Sequence, residues 1–466
     1  MLNNWKYMFK KIIHVYDKPG HINVTDCPFD KQFIANFHPD ANPPQTFYSG
    51  FGHYQKVHSM AKTSDIDFES NKNTLYTYVI EPFGNFNWFL GRKVMFTKNE
   101  FVRNKAFIFQ IPQQIVKMLQ EIPNFYLCIQ TKHEATYSNH DLILIHRQLK
   151  KAQIPVDKVI LSIVENWGID DMYNRIIKEK SYDNKMIIHP FPSFLLEKGL
   201  EMIQDKELGG LQYYDEVDID KLLTEKRTHK MLYYNRRVRK DHRITLLLHM
   251  MRDDMFKDNL VSYNLEMAEE VHHWPSLKYE QFKIRQGWTS NFTEDDWNEW
   301  YPKFFKSTKS IIDNSNFDTL GGFRAEHIET YKKAYVSIVS ESDFYAKHKY
   351  LSEKVYKCFN HLHPFVIVGS RGSIKKLKEQ GFKTWDKWWD ESYDDIDDGN
   401  ERYKKVYEII KFINSKTLDE LHQMYQEMIP NLRFNHDKMK YIGENYKELY
   451  KVYYDENLIG AVNENI

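Results

Sequence analysis

The run Tyr335-Val336-Ser337-Ile338-Val339 is largely β-branched and ends in Ser340-Glu341-Ser342. A helical segment opens at Ser352-Glu353-Lys354, and a second apolar run follows at Pro364-Phe365-Val366-Ile367-Val368. Strand, loop and helix therefore alternate, as they do in an α/β fold with a doubly wound parallel sheet. Such sheets bind ligands beyond the carboxyl ends of their strands, where the two polar segments are expected to lie.

The same alternation predicts the rest of the architecture. Predicted strands cover 125–130, 158–164, 185–188, 231–234 and 259–263, and predicted helices cover 139–152, 169–178, 194–203, 244–251, 401–414 and 418–428. The aromatic-rich segments 75–80 and 86–89 are expected to be antiparallel strands or an elaboration of the fold.

The length of the chain favours two domains of similar size, because 466 residues exceed what one compact α/β core usually holds. An acidic, polar segment around 215–220 marks the expected boundary. We predict two Rossmann-like domains, at 1–226 and 227–466.

The composition limits which binding partners and which cellular compartment we expect. Lys+Arg and Asp+Glu both number 65, so the formal net charge of +0 gives no overall attraction to nucleic acid or anionic membranes. The three cysteines, Cys27, Cys128 and Cys358, lack the paired spacing of a disulfide framework or zinc site. No apolar run is long enough to span a bilayer, and we expect a soluble cytoplasmic protein without a membrane span.

A basic segment follows the predicted strand at 231–234. It contains Asn235 and a run of basic residues, namely Arg236, Arg237, Arg239, Lys240 and Arg243. Guanidinium groups match phosphate oxygens two at a time, and a strand-to-helix turn offers backbone N–H groups, so the pattern favours a diphosphate site. The alternative is a solvated basic turn, which is the commoner fate of an arginine run.

The segment Ser352-Glu353-Lys354 is a second candidate for ligand binding. Lys354 could neutralise a leaving phosphate, while Glu353 or Glu341 accepts hydroxyl groups of a ribose or sugar. The structural alternative is a helix start in which Ser352 caps the first turn. The two interpretations are compatible.

These segments resemble the donor-binding region of two-domain glycosyltransferases. The α-fucosyltransferase family carries Thr-Glu-Lys where this chain has Ser352-Glu353-Lys354, and has an Asn and a downstream Arg that Asn235 and Arg243 resemble. Glycosyltransferases of tailed phages are similar in 235–237, in His242-Arg243, in the helix that begins at Glu353-Lys354 and in the segments 381–385 and 391–394. The resemblance covers the second predicted domain, about half of the chain.

The resemblance implies a GT-B enzyme with two Rossmann-like domains, a cleft between them and a UDP- or GDP-sugar donor on the second, without cofactor or metal. The residues it implies for the donor are Asn235, Arg236, Arg239, Arg243, Ser262, Glu341, Ser342, Ser352, Glu353 and Lys354. A catalytic base would come from the first domain, unless the enzyme retains the configuration of the sugar, and the sequence leaves inversion and retention open. Glu134 is the first candidate, with Glu165 and His133 as reserves, and an ordinary exposed loop acid is the alternative for Glu134.

The acceptor is predicted from a weaker pattern. Lysines alternate with aromatic residues at Trp297, Trp300, Tyr301, Lys303, Phe304, Phe305, Lys306 and Lys309. Such a track suits DNA, and the phage likeness favours hydroxymethylated bases of double-stranded DNA as acceptor in a host cytoplasm. The alternatives are a cell-surface or capsular glycan as acceptor, an aromatic helix packed into the core, and a nucleotide- or nucleic-acid-binding protein without catalysis.

A metal-dependent nuclease or phosphotransferase is a third class. Paired aspartates such as Asp394-Asp395 fall in predicted helix starts and loops, where they suit caps and solvated turns. Two histidine pairs, His272-His273 and His361 with His363, could bind a metal. Neither has a third ligand at the sequence spacing that is typical of a metal site. We therefore expect no metal site.

Overall fold

The protein is described by a computed structural model that covers residues 9–16, 60–62, 66–68, 70–80, 108, 111–131, 138–164, 166–200, 202–203, 219–238, 240–264, 279–280, 293–306, 328–346 and 348–465. The chain divides into two compact units. The first unit contains Met1–Glu197 and Asn445–Ile466, and the second contains Lys198–Glu444. The boundary between 226 and 227 stays a sequence-based prediction.

The strands are short, and helices separate most of those from β3 onward, as the sequence predicts. In chain order they are β1 (Lys11–Tyr16), β2 (Met60–Lys62), β3 (Thr74–Ile80), β4 (Phe125–Thr131), β5 (Val159–Val164), β6 (Asn166–Trp167), β7 (Ile187–Phe191), β8 (His229–Arg237), β9 (Leu260–Asn264), β10 (Ala334–Ser340), β11 (Lys349–Tyr350) and β12 (Phe365–Val368).

The helices range from a single turn to more than seven turns. They are α1 (Gln113–Glu121), α2 (Asn139–Lys151), α3 (Ile169–Lys180), α4 (Ser193–Leu200), α5 (Ile219–Thr224), α6 (Asp241–Arg252), α7 (Glu294–Lys306), α8 (Ile328–Tyr331), α9 (Glu353–Asn360), α10 (Ser373–Glu379), α11 (Gly399–Ser415), α12 (Leu418–Glu444), α13 (Tyr446–Tyr450) and α14 (Asn457–Asn463). Short 3-10 turns lie at Val156–Lys158, Met255–Asp258 and Ser392–Asp395, and a π-helical segment lies at Lys451–Glu456.

The first unit is built on a six-stranded sheet in the order β2-β1-β3-β4-β5-β7, in which every pairing is parallel. Consecutive residues of its central strands β4 and β5 are buried at 125–129 and 159–163, as expected for a parallel sheet covered on both faces. The expectation of antiparallel strands near the N-terminus is wrong for 75–80, since β3 pairs in parallel with both β1 and β4. The other predicted segment, 86–89, lies outside the described residues.

The last residues of the chain pack on the first sheet. The Tyr454 ring meets Phe191 of β7 edge to face with centroids 5.0 Å apart, and its hydroxyl lies 3.4 Å from the Cys128 thiol of β4. The Asn463 side chain accepts a hydrogen bond of 2.9 Å from the Phe9 N–H. These contacts join Asn445–Ile466 to the first unit.

The second unit is built on a parallel sheet in the order β12-β10-β8-β9. Every residue of the inner strand β10 is buried. The last residue of β10, Ser340, pairs with Val368 at the end of β12, so these two strands finish at one edge. The predicted strand–helix–strand unit at 335–368 is confirmed, and the α/β class with parallel sheets holds for both units.

Two elements of the second unit extend beyond their predicted bounds. The strand expected at 231–234 continues as β8 to Arg237, so Asn235 is a strand residue rather than a turn residue. The helix expected at 418–428 is α12, 27 residues long, with Pro430 inside it. Buried Met428 and Leu432 on either side of the proline show why the helix continues: its apolar face stays packed, which offsets the lost hydrogen bond.

Gly443 of α12 is expected to be intolerant of a side chain. A Cβ atom built there overlaps the carbonyl oxygen of Gly199, whereas one built at Gly460 of α14 meets nothing within 4 Å. Overpacking costs about 1–3 kcal/mol, so Gly443→Ala should lower the melting temperature measured by calorimetry. Gly460→Ala is the control and should be neutral or stabilising by up to about 1 kcal/mol. Equal shifts in the two variants would contradict this account.

Candidate functional site

The candidate site lies where β10 ends and α9 begins. Glu341 directly follows β10, and its backbone N–H donates to the Val368 carbonyl at 3.0 Å, which extends the pairing with β12 by one residue. One oxygen of its carboxyl group, Oε1, accepts a hydrogen bond of 3.0 Å from the Ser352 N–H. The contact ties the end of the strand to the residue that caps the helix.

The other oxygen of this carboxyl group has no such support. Glu341 is fully buried, and its Oε2 finds no hydrogen-bond partner among the described residues. Burial raises the pKa of Glu341 to about 7, although the charge of Lys354 and the hydrogen bonds from Ser352 oppose that rise. The neighbouring Ser342 hydroxyl is also buried without a partner within the described part of the chain. The edge of the sheet thus buries two polar groups that a ligand could satisfy.

The segment Ser352-Glu353-Lys354 forms a compact polar group at the start of α9. The Ser352 hydroxyl caps the helix by accepting from the Lys354 N–H at 3.4 Å. The Lys354 ammonium donates to Glu353 Oε1 at 2.9 Å and to the Ser352 hydroxyl at 3.2 Å. The side chain of Lys354 is 27% exposed, while that of Glu353 is 11% exposed. The ammonium is therefore partly exposed and paired with Glu353, and its charge also acts on the buried Glu341.

The first turn of α6 contacts the same edge through two consecutive residues. The Arg243 guanidinium donates to the Ser340 carbonyl at 3.0 Å, and His242 Nε2 donates to the Glu341 carbonyl at 2.9 Å. The Asn235 side chain donates to the Arg243 carbonyl at 3.4 Å. Predicted donor residues Asn235, Arg243 and Glu341 therefore belong to one connected network.

The remaining predicted residues divide into two groups. Ser262 is buried in β9, opposite Tyr234 of β8, within the body of the sheet. Arg236 belongs to β8, but its side chain lies outside the described residues, as do Arg239 and the catalytic candidates Glu134, Glu165 and His133 in full. Their predicted roles stay predictions.

Part of the resemblance to phage enzymes lies in the segments 381–385 and 391–394. Their acidic side chains make hydrogen bonds that stabilise the local fold. The Glu391 carboxylate accepts hydrogen bonds from the Thr384 hydroxyl at 2.6 Å and the Trp385 N–H at 2.8 Å. The Asp394 carboxylate accepts from the Ile374 and Lys375 N–H groups at 3.0 and 2.9 Å. The start of α10 is thus satisfied by a carboxylate of the chain itself, so this aspartate acts as a cap.

The aromatic helix predicted to track DNA is α7. Its rings Trp297, Tyr301 and Phe304 are buried, and the first two stack with centroids 3.8 Å apart. The exposed Lys303 pairs with Glu299 at 2.8 Å. Core packing accounts for these three rings, and Lys309 lies outside the described residues.

The histidine pair at 361 and 363 has structural partners. His363 contacts the Ser337 hydroxyl through Nδ1 at 2.7 Å and the Ala334 carbonyl through Nε2 at 2.6 Å. His361 stacks on Tyr331 with centroids 4.2 Å apart. Within the described residues, no group of three or more His, Cys, Asp or Glu side chains could hold a metal ion, and His272-His273 lies outside them. No helix in the described part of the chain is both long and apolar enough to cross a membrane.

Comparisons with protein-family models, curated proteins and solved structures found no match for this chain. The residues of the site are therefore the basis for assigning a function. His242 is the contributor to that site that the sequence does not single out as a binding residue. Its partner is a backbone carbonyl far along the chain, and a side-chain contact to a carbonyl leaves no pattern in the spacing of residues.

Glu341 is expected to make the protein less stable as the pH rises from about 4.5 to about 7. Its pKa rises from 4.5 to about 7 on folding, so the folded state holds the proton more tightly and ionisation above that range opposes folding. Glu341→Gln removes this charge, and relative to wild type it should gain roughly 3 kcal/mol between pH 5 and pH 8. Urea unfolding at the two pH values measures the difference.

The control for this measurement is Glu379→Gln. Burial would raise the pKa of Glu379, but its hydrogen bond and ion pair with Lys349 lower it overall. Its ionised form therefore favours the folded state, and the Gln variant should show no comparable gain at pH 8. Parallel pH profiles for wild type and Glu341→Gln would show that Glu341 titrates at its ordinary pKa.

Proposed function

We propose that the second unit binds a nucleotide-sugar and that the protein is a glycosyltransferase of the GT-B type. The observation that carries the proposal is the fully buried Glu341 carboxyl, whose Oε2 lacks a partner among the described residues, at the carboxyl edge of a parallel sheet. Ligands of open α/β sheets bind at that edge. A buried acceptor oxygen in this place suits the hydroxyl groups of a ribose or sugar.

Lys354 supports the proposal through its charge. Its ammonium stands at the first turn of α9, where the helix dipole also favours an anion. A nucleoside diphosphate carries its hydroxyl groups and its negative charge a short distance apart, which matches an acid and a lysine on adjoining elements. In this proposal Glu341 accepts a hydroxyl hydrogen bond and Lys354 offsets charge that develops on the leaving diphosphate.

The other residues keep, in this proposal, the roles that the sequence predicts for them. Arg243 stands beside the edge with its guanidinium anchored on Ser340, and it would contribute positive charge toward the diphosphate. Arg236, Arg239, Ser262 and Ser342 are proposed as further donor contacts. Transfer would need no metal, and a base such as Glu134 or Glu165 would deprotonate the acceptor hydroxyl.

Binding of one nucleotide class is the first expected outcome. In a thermal-shift screen of UDP, GDP, CMP and ADP with their sugars, one nucleotide should raise the melting temperature selectively, and Lys354→Ala should abolish the shift. Lys357→Ala is a matched control, because Lys357 is a second partly buried lysine on α9, three residues further on. Lys357→Ala should keep the rise in melting temperature, because Lys357 lies one helical turn beyond Lys354.

Two results would count against a transferase. Absence of a shift with every nucleotide would favour the nucleic-acid-binding alternative, and a shift without slow hydrolysis of the donor sugar would favour a nucleotide-binding protein without catalysis. Transfer that stops on addition of a chelator would contradict a metal-independent mechanism.

The acceptor is proposed to be hydroxymethylated double-stranded DNA, with a cell-surface or capsular glycan as the alternative. Labelled sugar should pass from the donor into duplex containing hydroxymethylated bases and not into unmodified duplex, which lacks the accepting hydroxyl group. Transfer to a polysaccharide with none to modified DNA would replace the first acceptor with the second.

A further inference from the structure

Two consecutive residues of α6 hold two consecutive carbonyl groups at the end of β10. Arg243 donates to the Ser340 carbonyl at 3.0 Å, and His242 donates to the Glu341 carbonyl at 2.9 Å. Both residues are buried, and so are the two that they hold. The backbone of Glu341 is fixed on both sides, because its own N–H donates to the Val368 carbonyl at 3.0 Å.

The chemistry of His242 suits a permanent donor. Burial, and then the charge of neighbouring Arg243, lower its pKa to about 3, so the ring is neutral near pH 7. A neutral imidazole that donates from Nε2 must carry its proton there, which fixes the tautomer. The ring also stacks on Phe344, with centroids 5.5 Å apart.

Phe344 is itself anchored. The Arg402 guanidinium lies 4.6 Å from the Phe344 ring centroid and donates to the Phe344 carbonyl at 2.6 Å. Arg402, a residue of α11, also donates to the Ile396 carbonyl at 2.6 Å. By stacking on Phe344, His242 thus links the contacts of Arg402 to the peptide group that follows Glu341.

We propose that His242 is a positioning residue that fixes the Glu341 carboxyl at the ligand-binding edge. Without its hydrogen bond, the peptide after Glu341 can rotate, because the Glu341 backbone is then held through its N–H alone, while the carboxyl keeps the hydrogen bond from Ser352. Among the described residues, the charged and titratable groups that act on this carboxyl include Lys354, Glu353 and the Cys358 thiol, all on α9. The importance of His242 for ligand binding rests on the proposed function, whereas its effect on Glu341 does not.

The chain offers a matched comparison at the opposite end of the same strand. His363 Nε2 donates to the Ala334 carbonyl at 2.6 Å, where β10 begins, and the His363 ring is as deeply buried as that of His242. A purely structural role predicts that loss of either histidine contact has the same consequences. A positioning role predicts that only the contact at the carboxyl end changes Glu341.

The experiment compares His242→Phe, His242→Gln and His363→Phe in the full chain. Phe keeps a ring against Phe344 and removes the donor, whereas Gln restores a donor at similar reach. The Glu341 carboxyl is followed by ¹³C NMR of protein labelled at the glutamate side-chain carboxyl, and its signal is identified by its loss in Glu341→Gln. Nucleotide-sugar affinity is measured on the same samples.

In His242→Phe, the pKa of Glu341 should move from about 7 toward the ordinary glutamate value, because the freed carboxyl reaches solvent. Nucleotide-sugar affinity should fall about tenfold, as expected for loss of a buried hydrogen bond. His242→Gln should retain both properties. His363→Phe should lower the melting temperature and leave both unchanged.

Two outcomes would overturn the proposal: an unchanged Glu341 pKa in His242→Phe, or the same change in His363→Phe. A shifted pKa in His242→Phe, restored in His242→Gln, would support it even if wild type binds none of the nucleotides. A restored pKa together with no nucleotide binding would reject the proposed function but support the positioning role of His242. The experiment therefore distinguishes failure of the one from failure of the other.

Discussion

Complete burial of β10 is the constraint on which the second unit depends. A strand with no exposed residue must satisfy every backbone group inside the protein, so its neighbours β8 and β12 and the residues at its ends are all committed to pairing. At the two ends of β10, side chains take the place of backbone hydrogen bonds. His363 donates to the carbonyl of the first residue, Ala334, and Arg243 donates to the carbonyl of the last, Ser340. Glu341 is buried because it occupies the next position along this line.

The same burial gives the candidate site its chemical character. A carboxyl group at an exposed sheet edge would be ionised and hydrated, whereas Glu341 meets α9 in a setting that withholds water. The neighbouring positive charge is that of Lys354, which is partly exposed and paired with Glu353. A ligand bound at this edge would meet a cation and a buried acceptor together, and that combination motivates the glycosyltransferase proposal.

The sequence predicts the elements whose apolar patterns are continuous and fails where tertiary contacts decide. The segment from β10 through α9 to β12 follows from β-branched runs and a capping serine. The length of α12 does not, because Pro430 is a stop signal whose effect is offset by packing on either side of it. The direction of strand pairing is equally hard to predict: the aromatic-rich composition of β3 suggests an antiparallel strand or an elaboration, yet β3 is a parallel inner strand. In the site, Ser352, Glu353 and Lys354 come together because they are adjacent in sequence, whereas the anchoring of Glu341 by His242 depends on a contact that only the fold creates.

The close approach of Gly199 and Gly443 has a consequence for the topology of the chain. Gly199 is the second residue of the second unit and Gly443 is its last but one, so the two ends of this unit touch each other. A compact unit whose ends meet can be inserted into a host sequence, or removed from one, at the cost of a short loop. The second unit therefore has the geometry of an inserted domain, and residues 198–444 form a natural fragment for independent expression or circular permutation.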